Sequence, residues 1–329
     1  MNAMLKTLTR TATDDGSLPD AGRFTVEMHL PLHHGGEAEV AIRAEVVGPA
    51  RAPVLLAAGG ISAGRHVLAN RLDPSDGWWQ CQAGSFAGHR LLAIDFLAAD
   101  GTLDRPVDTR DQARAMLAVM DYLGIAHAAG FVGASYGAMV GMQLAVIAPH
   151  RVGGLLAISA AHRAHPFSSA QRALQRQAIE LGERFGDPAA GVALARKFAI
   201  LTYRSAAEFE GRFRDAPRVG TGRAKVSAEP YLDHQGDRHC RRMSAAAYRR
   251  LSESIDLHCI EPGNIAVPAT FVAVESDALV PIADIARAAT GAPLGRLVTI
   301  ASRFGHDAFL KEDAAIAAIL DTFLTSMGA

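Results

Sequence analysis

Phe131-Val132-Gly133-Ala134-Ser135-Tyr136-Gly137 is the stretch on which the reading of this chain turns. The apolar run 129–132 leading into it reads as a buried strand. Residues 136–148 after it, closed by Pro149, read as a helix. Between the two sits Gly-x-Ser-x-Gly. A sharp strand-to-helix turn at that point lifts the serine Oγ clear of the end of a sheet. Where the backbone is that tight the neighbours must be small, and Gly133 and Gly137 meet the requirement. The helix that begins at Tyr136 aims its free N–H groups and the positive end of its dipole at the serine, which favours the negative charge that develops in acyl transfer. Ser135 is therefore read as a nucleophile. The bare pattern arises by chance in a chain with 31 glycines, so the strand before it and the helix after it carry the reading.

Short apolar runs bounded by turn residues recur at 54–58, 91–96, 154–159, 269–274 and 297–301. Being apolar nearly throughout, they predict strands covered on both faces, as in a parallel sheet. Residues 24–47 alternate loosely between apolar and polar, as antiparallel strands do. Residues 109–123 carry Ala113, Met116, Leu117, Met120 and Leu123 at the spacing of one helix face. Alternating strands and helices give the α/β class, with a doubly wound, mostly parallel sheet. The rhythm stops over about 166–264, a stretch rich in Arg, Gln, Glu and Ala without a clear strand, and resumes after Pro268. The expected organisation is a flexible leader over 1–23, a first part of the sheet domain over 24–165, a helical lid over 166–264 and a second part over 265–329. With the serine at a strand-to-helix turn, this is the pattern of the α/β-hydrolase fold.

In that fold the acid and then the histidine follow the serine in chain order. Thr270-Phe271-Val272-Ala273-Val274-Glu275-Ser276-Asp277 reads as strand, turn and acid. Leu297-Val298-Thr299-Ile300-Ala301 reads as strand, with Gly305-His306-Asp307 in the loop after it. His306 would take the serine proton, and Asp277 would hold the imidazole tautomer and stabilise the imidazolium. Glu275 falls within the strand end and Asp284 in a helix, so Asp277 is the better acid. Of thirteen histidines, His33 and His34 read as loop residues and His150 as a helix end. The oxyanion donors are expected to be the backbone N–H groups of Tyr136 and of Ile61, the latter in the loop Ala58-Gly59-Gly60-Ile61 after an early strand.

The 329 residues are 49% hydrophobic and carry a formal net charge of −1, which points away from nucleic acid and anionic membranes as partners. No run approaches the length of a membrane-spanning helix. Residues 1–23 hold Asp14, Asp15 and Asp20 and lack the apolar stretch of a secretory signal. Cys81, Cys240 and Cys259 are odd in number and far apart, and fit neither a disulfide framework nor a zinc site. A cytoplasmic protein without a metal or bound cofactor is expected.

Several further segments resemble the homoserine O-acyltransferases of methionine biosynthesis, a branch of the α/β hydrolases. Gly133-Ala134-Ser135-Tyr136-Gly137-Ala138-Met139 is similar to the family's nucleophile motif. Gln175-Arg176-Gln177-Ala178-Ile179, Ala195-Arg196-Lys197, Leu201-Thr202-Tyr203-Arg204-Ser205, Arg212-Phe213 and Tyr231-Leu232 resemble its lid. Ser276-Asp277-Ala278-Leu279-Val280-Pro281 and Gly305-His306-Asp307-Ala308-Phe309-Leu310 resemble its acid and base loops, and Gly77-Trp78-Trp79 another of its segments. The match spans roughly 59–310.

The resemblance implies an acyl-CoA-dependent L-homoserine O-acyltransferase with acyl-CoA (succinyl-CoA or acetyl-CoA) as co-substrate. It implies a ping-pong path through acyl-Ser135, with Arg196, Tyr203 and Asp307 holding the amino acid, and a homodimer formed through the lid. A guanidinium fork suits an α-carboxylate and a carboxylate suits an ammonium, so the residue types fit that role. Three departures lie toward the acyl side: a shortened stretch between Phe96 and Arg110, Tyr136 in place of Met with Ala138 in place of Gly, and Ile61-Ser62-Ala63-Gly64-Arg65-His66 in place of a Leu-Thr-Gly run ending in His. Arg65, a charge beside the oxyanion loop, is read as a possible contact for the distal carboxylate of a succinyl group. A serine O-acyltransferase and an esterase or thioesterase remain alternatives, because one methylene in a pocket discriminates by only about 1–3 kcal/mol.

Overall fold

The structure, a computed structural model, describes residues 20–220 and 222–327. The alternation near the start of the chain comes from a hairpin. Strands β1 (Ala21–Pro31) and β2 (Glu37–Val47) pair antiparallel from Ala21 opposite Val47 to Pro31 opposite Glu37. They bury Phe24, Val26, Met28 and Leu30 with Val40 and Ile42. This shortens the leader expected over 1–23. Residues 1–19 lie outside the described residues, but Ala21, Gly22 and Arg23 belong to β1. Arg23, polar by sequence, stays in register because its Nε meets the buried Glu45 carboxylate on β2 at 2.7 Å.

Strands β3 (Val54–Ala58), β4 (Arg90–Ile94), β5 (Gly130–Ala134), β6 (Leu155–Ile158), β9 (Ala269–Val274) and β10 (Gly295–Ile300) are mutually parallel. Strand β2 joins β4 antiparallel. The resulting sheet has eight strands in the order β1-β2-β4-β3-β5-β6-β9-β10. Strands β3, β4, β5, β6 and β9 are buried almost throughout, as their unbroken apolar runs require. The run 297–301 is different: β10 is the sheet edge, and Leu297 is 40% exposed.

Helices α2 (Thr109–Tyr122), α3 (Tyr136–Ile147) and α9 (Ile282–Gly291) cover one face of the sheet. The short α1 (Ala83–Phe86) and α10 (Asp313–Met327) cover the other, giving a core cluster on each side. Helix α2 starts on a reciprocal cap, in which Asp108 accepts from the backbone of Arg110 and Asp111 while Asp111 accepts from the Asp108 N–H.

Between β6 and β9 the chain leaves the sheet. It runs through α4 (Pro166–Arg184), α5 (Pro188–Tyr203), α6 (Ala206–Phe213), α7 (Glu229–Cys240) and α8 (Ala245–Asp256). The sequence predicts no strand in this stretch, yet it holds a small exposed hairpin of β7 (Arg218–Gly220) and β8 (Arg223–Lys225). Three residues per strand with no buried side chain leave no periodicity to read. At the base of the insertion the Ile260 N–H donates to the His162 carbonyl at 2.9 Å, closing the outgoing chain on the returning one.

Candidate active site

Ser135 joins β5 to α3 at φ 54°, ψ −122°. Positive φ at a residue with a Cβ costs on the order of 1–3 kcal/mol and persists only when the surroundings hold it. They do so here through backbone bonds of 2.8 Å, from the Ser135 N–H to the Ile158 carbonyl and from the Gly137 N–H to the Gly59 carbonyl. A Cβ on Gly133 would lie 2.6 Å from the Ala138 backbone, and one on Gly137 would lie 2.1 Å from the Ala58 oxygen. The glycines of the motif are therefore demanded by helix, strand and loop at once.

Ser135 Oγ lies 2.7 Å from His306 Nε2, and His306 Nδ1 lies 2.7 Å from Asp277 Oδ2. Asp277 follows β9, and its second oxygen accepts the N–H groups of Leu279 at 2.9 Å and Val280 at 3.0 Å. His306 sits in the short 3₁₀ helix Gly305–Leu310 after β10, where Gly305 takes φ 62° and donates its N–H to Ser276 Oγ. Both Asp277 and His306 are buried. Burial opposes charge on the imidazole, but the charge and hydrogen bond of Asp277 outweigh it, and the His306 pKa stands above its ordinary value. Of the competing acids, Glu275 is exposed at the end of β9 and Asp284 is spent on Arg287 within α9.

A cavity of about 210 Å³ opens on Ser135 and His306, walled by Ile61, Trp78, Arg196, Tyr203, Asp307 and Phe309 among others. Arg196 and Tyr203 stand two turns apart on α5, with the guanidinium 5.4 Å from the Tyr203 ring centre and that ring 6.0 Å from the imidazole of His306. Asp307 Oδ2 is 3.1 Å from Arg204 Nε. Burial raises the Asp307 carboxyl above its usual range, opposed chiefly by the charge of Arg204. Sequence reasoning names neither Arg204 nor Trp78 as a site residue. The signal is present, since both lie inside segments that resemble the family.

Ile61 lies in a turn closed by the Ala63 N–H on the Gly60 carbonyl, and it borders the cavity. Tyr136 is the first residue of α3, whose N–H has no acceptor in a preceding turn. Its side chain is buried, with its hydroxyl 2.6 Å from Ser254 Oγ on α8 and its ring edge-on to Phe96.

Arg65 is not brought to this cavity. Its backbone N–H and its guanidinium both engage Asp95, at 2.8 and 3.2 Å, just past the end of β4, and it is not among the residues that wall the cavity. A larger cleft of about 460 Å³ adjoins the cavity through Ile61, Ser62 and Ala63 and is lined farther out by Arg43, Asp100 and Arg242.

Among the described residues His33, His34 and Asp108 form a group that could hold a metal ion. The Asp108 oxygen is already shared by both imidazoles, at 2.5 and 2.9 Å, and the group lines neither cavity. Cys81, Cys240 and Cys259 are free thiols. Among the described residues no helix is long and apolar enough to cross a membrane.

A mostly parallel sheet that presents Ser135, Asp277 and His306 at the ends of its strands defines an α/β-hydrolase-fold protein, and the family model described as alpha/beta hydrolase fold matches residues 53–313. The chain is 49% identical over 326 residues to homoserine O-succinyltransferase of Xanthomonas campestris pv. campestris, covering 97% of this chain and 88% of that protein. It is 37% identical over 232 residues to homoserine O-acetyltransferase of Thermus thermophilus, covering 67% of this chain and 58% of that protein. The crystal structure of homoserine O-acetyltransferase from Bacillus anthracis superposes with a TM-score of 0.83 at 17% identity, covering 93% of this chain and 98% of that one, a likeness of fold. The chain belongs to the homoserine O-acyltransferase family.

Proposed function

We propose that this protein transfers an acyl group, succinyl in preference to acetyl, from a coenzyme A thioester to the side-chain hydroxyl of L-homoserine, as a step of methionine biosynthesis in the cytoplasm. The observation that carries the reading is the cavity in which Arg196 and Tyr203 of the helical insertion meet Ser135, His306 and Asp307. A zwitterionic amino acid with a free hydroxyl matches that set of charges. The preference for succinyl rests on the 49% identity to a succinyltransferase against 37% to an acetyltransferase.

In the first half-reaction His306 Nε2 takes the Ser135 proton as Oγ attacks the thioester carbonyl. The backbone N–H groups of Ile61 and Tyr136 hold the resulting oxyanion. The carbon–sulfur bond breaks, the thiol leaves with the proton from His306, and acyl-Ser135 remains. The homoserine hydroxyl then gives its proton to His306 and attacks the acyl carbon. The bond to Ser135 Oγ breaks, and the serine recovers its proton. Arg196 holds the acceptor's carboxylate and Asp307 its ammonium, with Tyr203 packed beside the imidazole. The adjoining cleft gives the long arm of the thioester a route to Ser135. The insertion over 166–264 acts as the lid that limits water at the acyl-enzyme.

A homodimer through this lid is part of the proposal. Phe167, Leu174, Leu181 and Phe185 are exposed at helical spacing along and just past α4, and Leu194, Phe198 and Leu201 along α5. That is a broad apolar face for a second copy to cover.

The test combines purified protein with succinyl-CoA or acetyl-CoA, each with and without L-homoserine, following thiol release and intact mass. Homoserine-dependent release and an acyl adduct absent from Ser135→Ala are expected. Release indifferent to homoserine would make the protein a thioesterase.

A further inference from the structure

We infer that Arg204 is a positioning residue that keeps Asp307 ionised and oriented, and thereby makes the site select an acceptor bearing an ammonium group. The inference rests on the proposed function and deepens it. Arg204 ends α5 one residue past Tyr203 and turns its side chain toward the loop that carries the base. Its Nε pairs with Asp307 Oδ2 at 3.1 Å, while its NH1 pairs with Glu208. Glu208 is itself buried, receives Arg212 NH1 at 3.2 Å on the same oxygen, and leaves its Oε2 without a partner among the described residues. Close contacts between the two segments fix the geometry. Ser205 Oγ donates to the Arg303 carbonyl, and a Cβ on Gly305 would lie 2.6 Å from the Tyr203 carbonyl, so the end of α5 and the base loop are in close register.

The chemistry follows from charge. Asp307 borders the cavity but is largely enclosed, and a carboxyl in such a place tends to hold its proton. A neutral carboxyl offers little to an ammonium. The charged groups that bear on it are Arg204, His306, Arg196 and Glu208. Arg196 faces the acceptor's carboxylate and His306 must be neutral to act as base, which leaves Arg204 as the standing positive charge at Asp307. By engaging Oδ2 it also leaves Oδ1 for the substrate. Arg204 touches no reacting atom and acts through Asp307.

The test compares kcat/KM for L-homoserine with kcat/KM for 1-propanol, an uncharged alcohol, using succinyl-CoA. Arg204→Gln is expected to lower the homoserine-to-propanol ratio by about tenfold or more, the scale of one charge-assisted contact. It should also raise by about one pH unit the acid limb of that ratio, because removing the positive charge lets Asp307 protonate sooner, while protonation of His306 weighs on both acceptors alike and cancels. Arg204→Lys should recover part of both, and Glu208→Gln, which frees the anchor but also removes a negative charge near Asp307, should lower the ratio by less without raising the acid limb. If the ratio and the acid limb stay put, or both acceptors fall together, Arg204 only braces the lid and the inference is overturned. Should Arg204→Gln fail to fold, the Lys and Glu208→Gln variants decide alone. Wild type forming no acyl-Ser135 and no homoserine ester would overturn the proposed function and this inference with it, an outcome distinct from a variant that leaves the ratio unchanged.

Discussion

Replacing Asp277 by Asn removes one charge and no volume, and the geometry dictates how the site responds. Asp277 Oδ1 accepts two buried backbone N–H groups, from Leu279 and Val280. An asparagine must keep its oxygen there, because an NH₂ group would face two donors with no acceptor between them. The NH₂ therefore takes the place of Oδ2 and donates to His306 Nδ1, now 2.7 Å from the carboxylate. Nδ1 becomes an acceptor, the ring proton moves to Nε2, and that proton points at Ser135 Oγ. The base is present, correctly placed and in the wrong tautomer. The expected loss in the acylation rate at neutral pH is about 10⁴-fold, or about 5.4 kcal/mol of barrier. Stopped-flow thiol release from succinyl-CoA measures it, with circular dichroism to show that the fold persists. Adding Ser135→Ala to Asp277→Asn should cost little beyond Ser135→Ala alone, since the residues act as a unit. A variant that retains more than about a tenth of wild-type acylation, with its fold intact, would refute the tautomer reasoning, because losing Asp277's charge without reversing the tautomer costs far less.

Tyr136→Phe keeps the backbone N–H assigned to the oxyanion and loses the hydroxyl's links to Ser254 and Gln112, so acylation should stay within about threefold while thermal unfolding reports a loss of about 1–2 kcal/mol. Gly137→Ala drives a Cβ into the Ala58 carbonyl, and a stability loss of about 3 kcal/mol or outright misfolding is expected in denaturant titration. His239 and His258 are each pushed by burial to a pKa of about 3. The unfolded chain therefore binds more protons between about pH 6.5 and 3, so the melting temperature should fall steadily as pH drops through that window, and His258→Phe should flatten the fall. Phe185→Asp with Leu174→Asp should convert a dimer to a monomer in light scattering if the exposed face of α4 is the contact, and an unchanged mass would reject it.

Much of this is legible in the sequence because the sheet domain is locally consistent. The runs 54–58 and 269–274 are apolar for the same reason that they are central strands, and Gly133 and Gly137 are small because a helix, a strand and a loop meet there. Asp277 and His306 can be named because chain order and strand ends restrict the candidates. Other features depend on contacts between distant segments, which no local pattern records. Arg23 belongs to a strand because of Glu45, twenty-two positions away. Arg65 beside the oxyanion loop invites an anion contact, and only the fold reveals that Asp95 already holds it. Arg204 reads as an ordinary lid charge until the base loop is seen to rest on the end of α5. The hairpin of β7 and β8 buries nothing and so leaves no mark in the hydrophobic pattern.

The bond from the Gly137 N–H to the Gly59 carbonyl has a consequence for timing. It stitches the turn that carries Ser135 to the loop that carries Ile61, so the two N–H groups proposed to hold the oxyanion are tied together before any substrate arrives. Under the proposed mechanism a thioester that reaches Ser135 reacts whether or not an amino acid is waiting, and an idle current of hydrolysis is then set by how much water passes the insertion. On that reading, economy in the use of activated acyl groups is a property of the insertion, while the sheet beneath it is indifferent to what comes next.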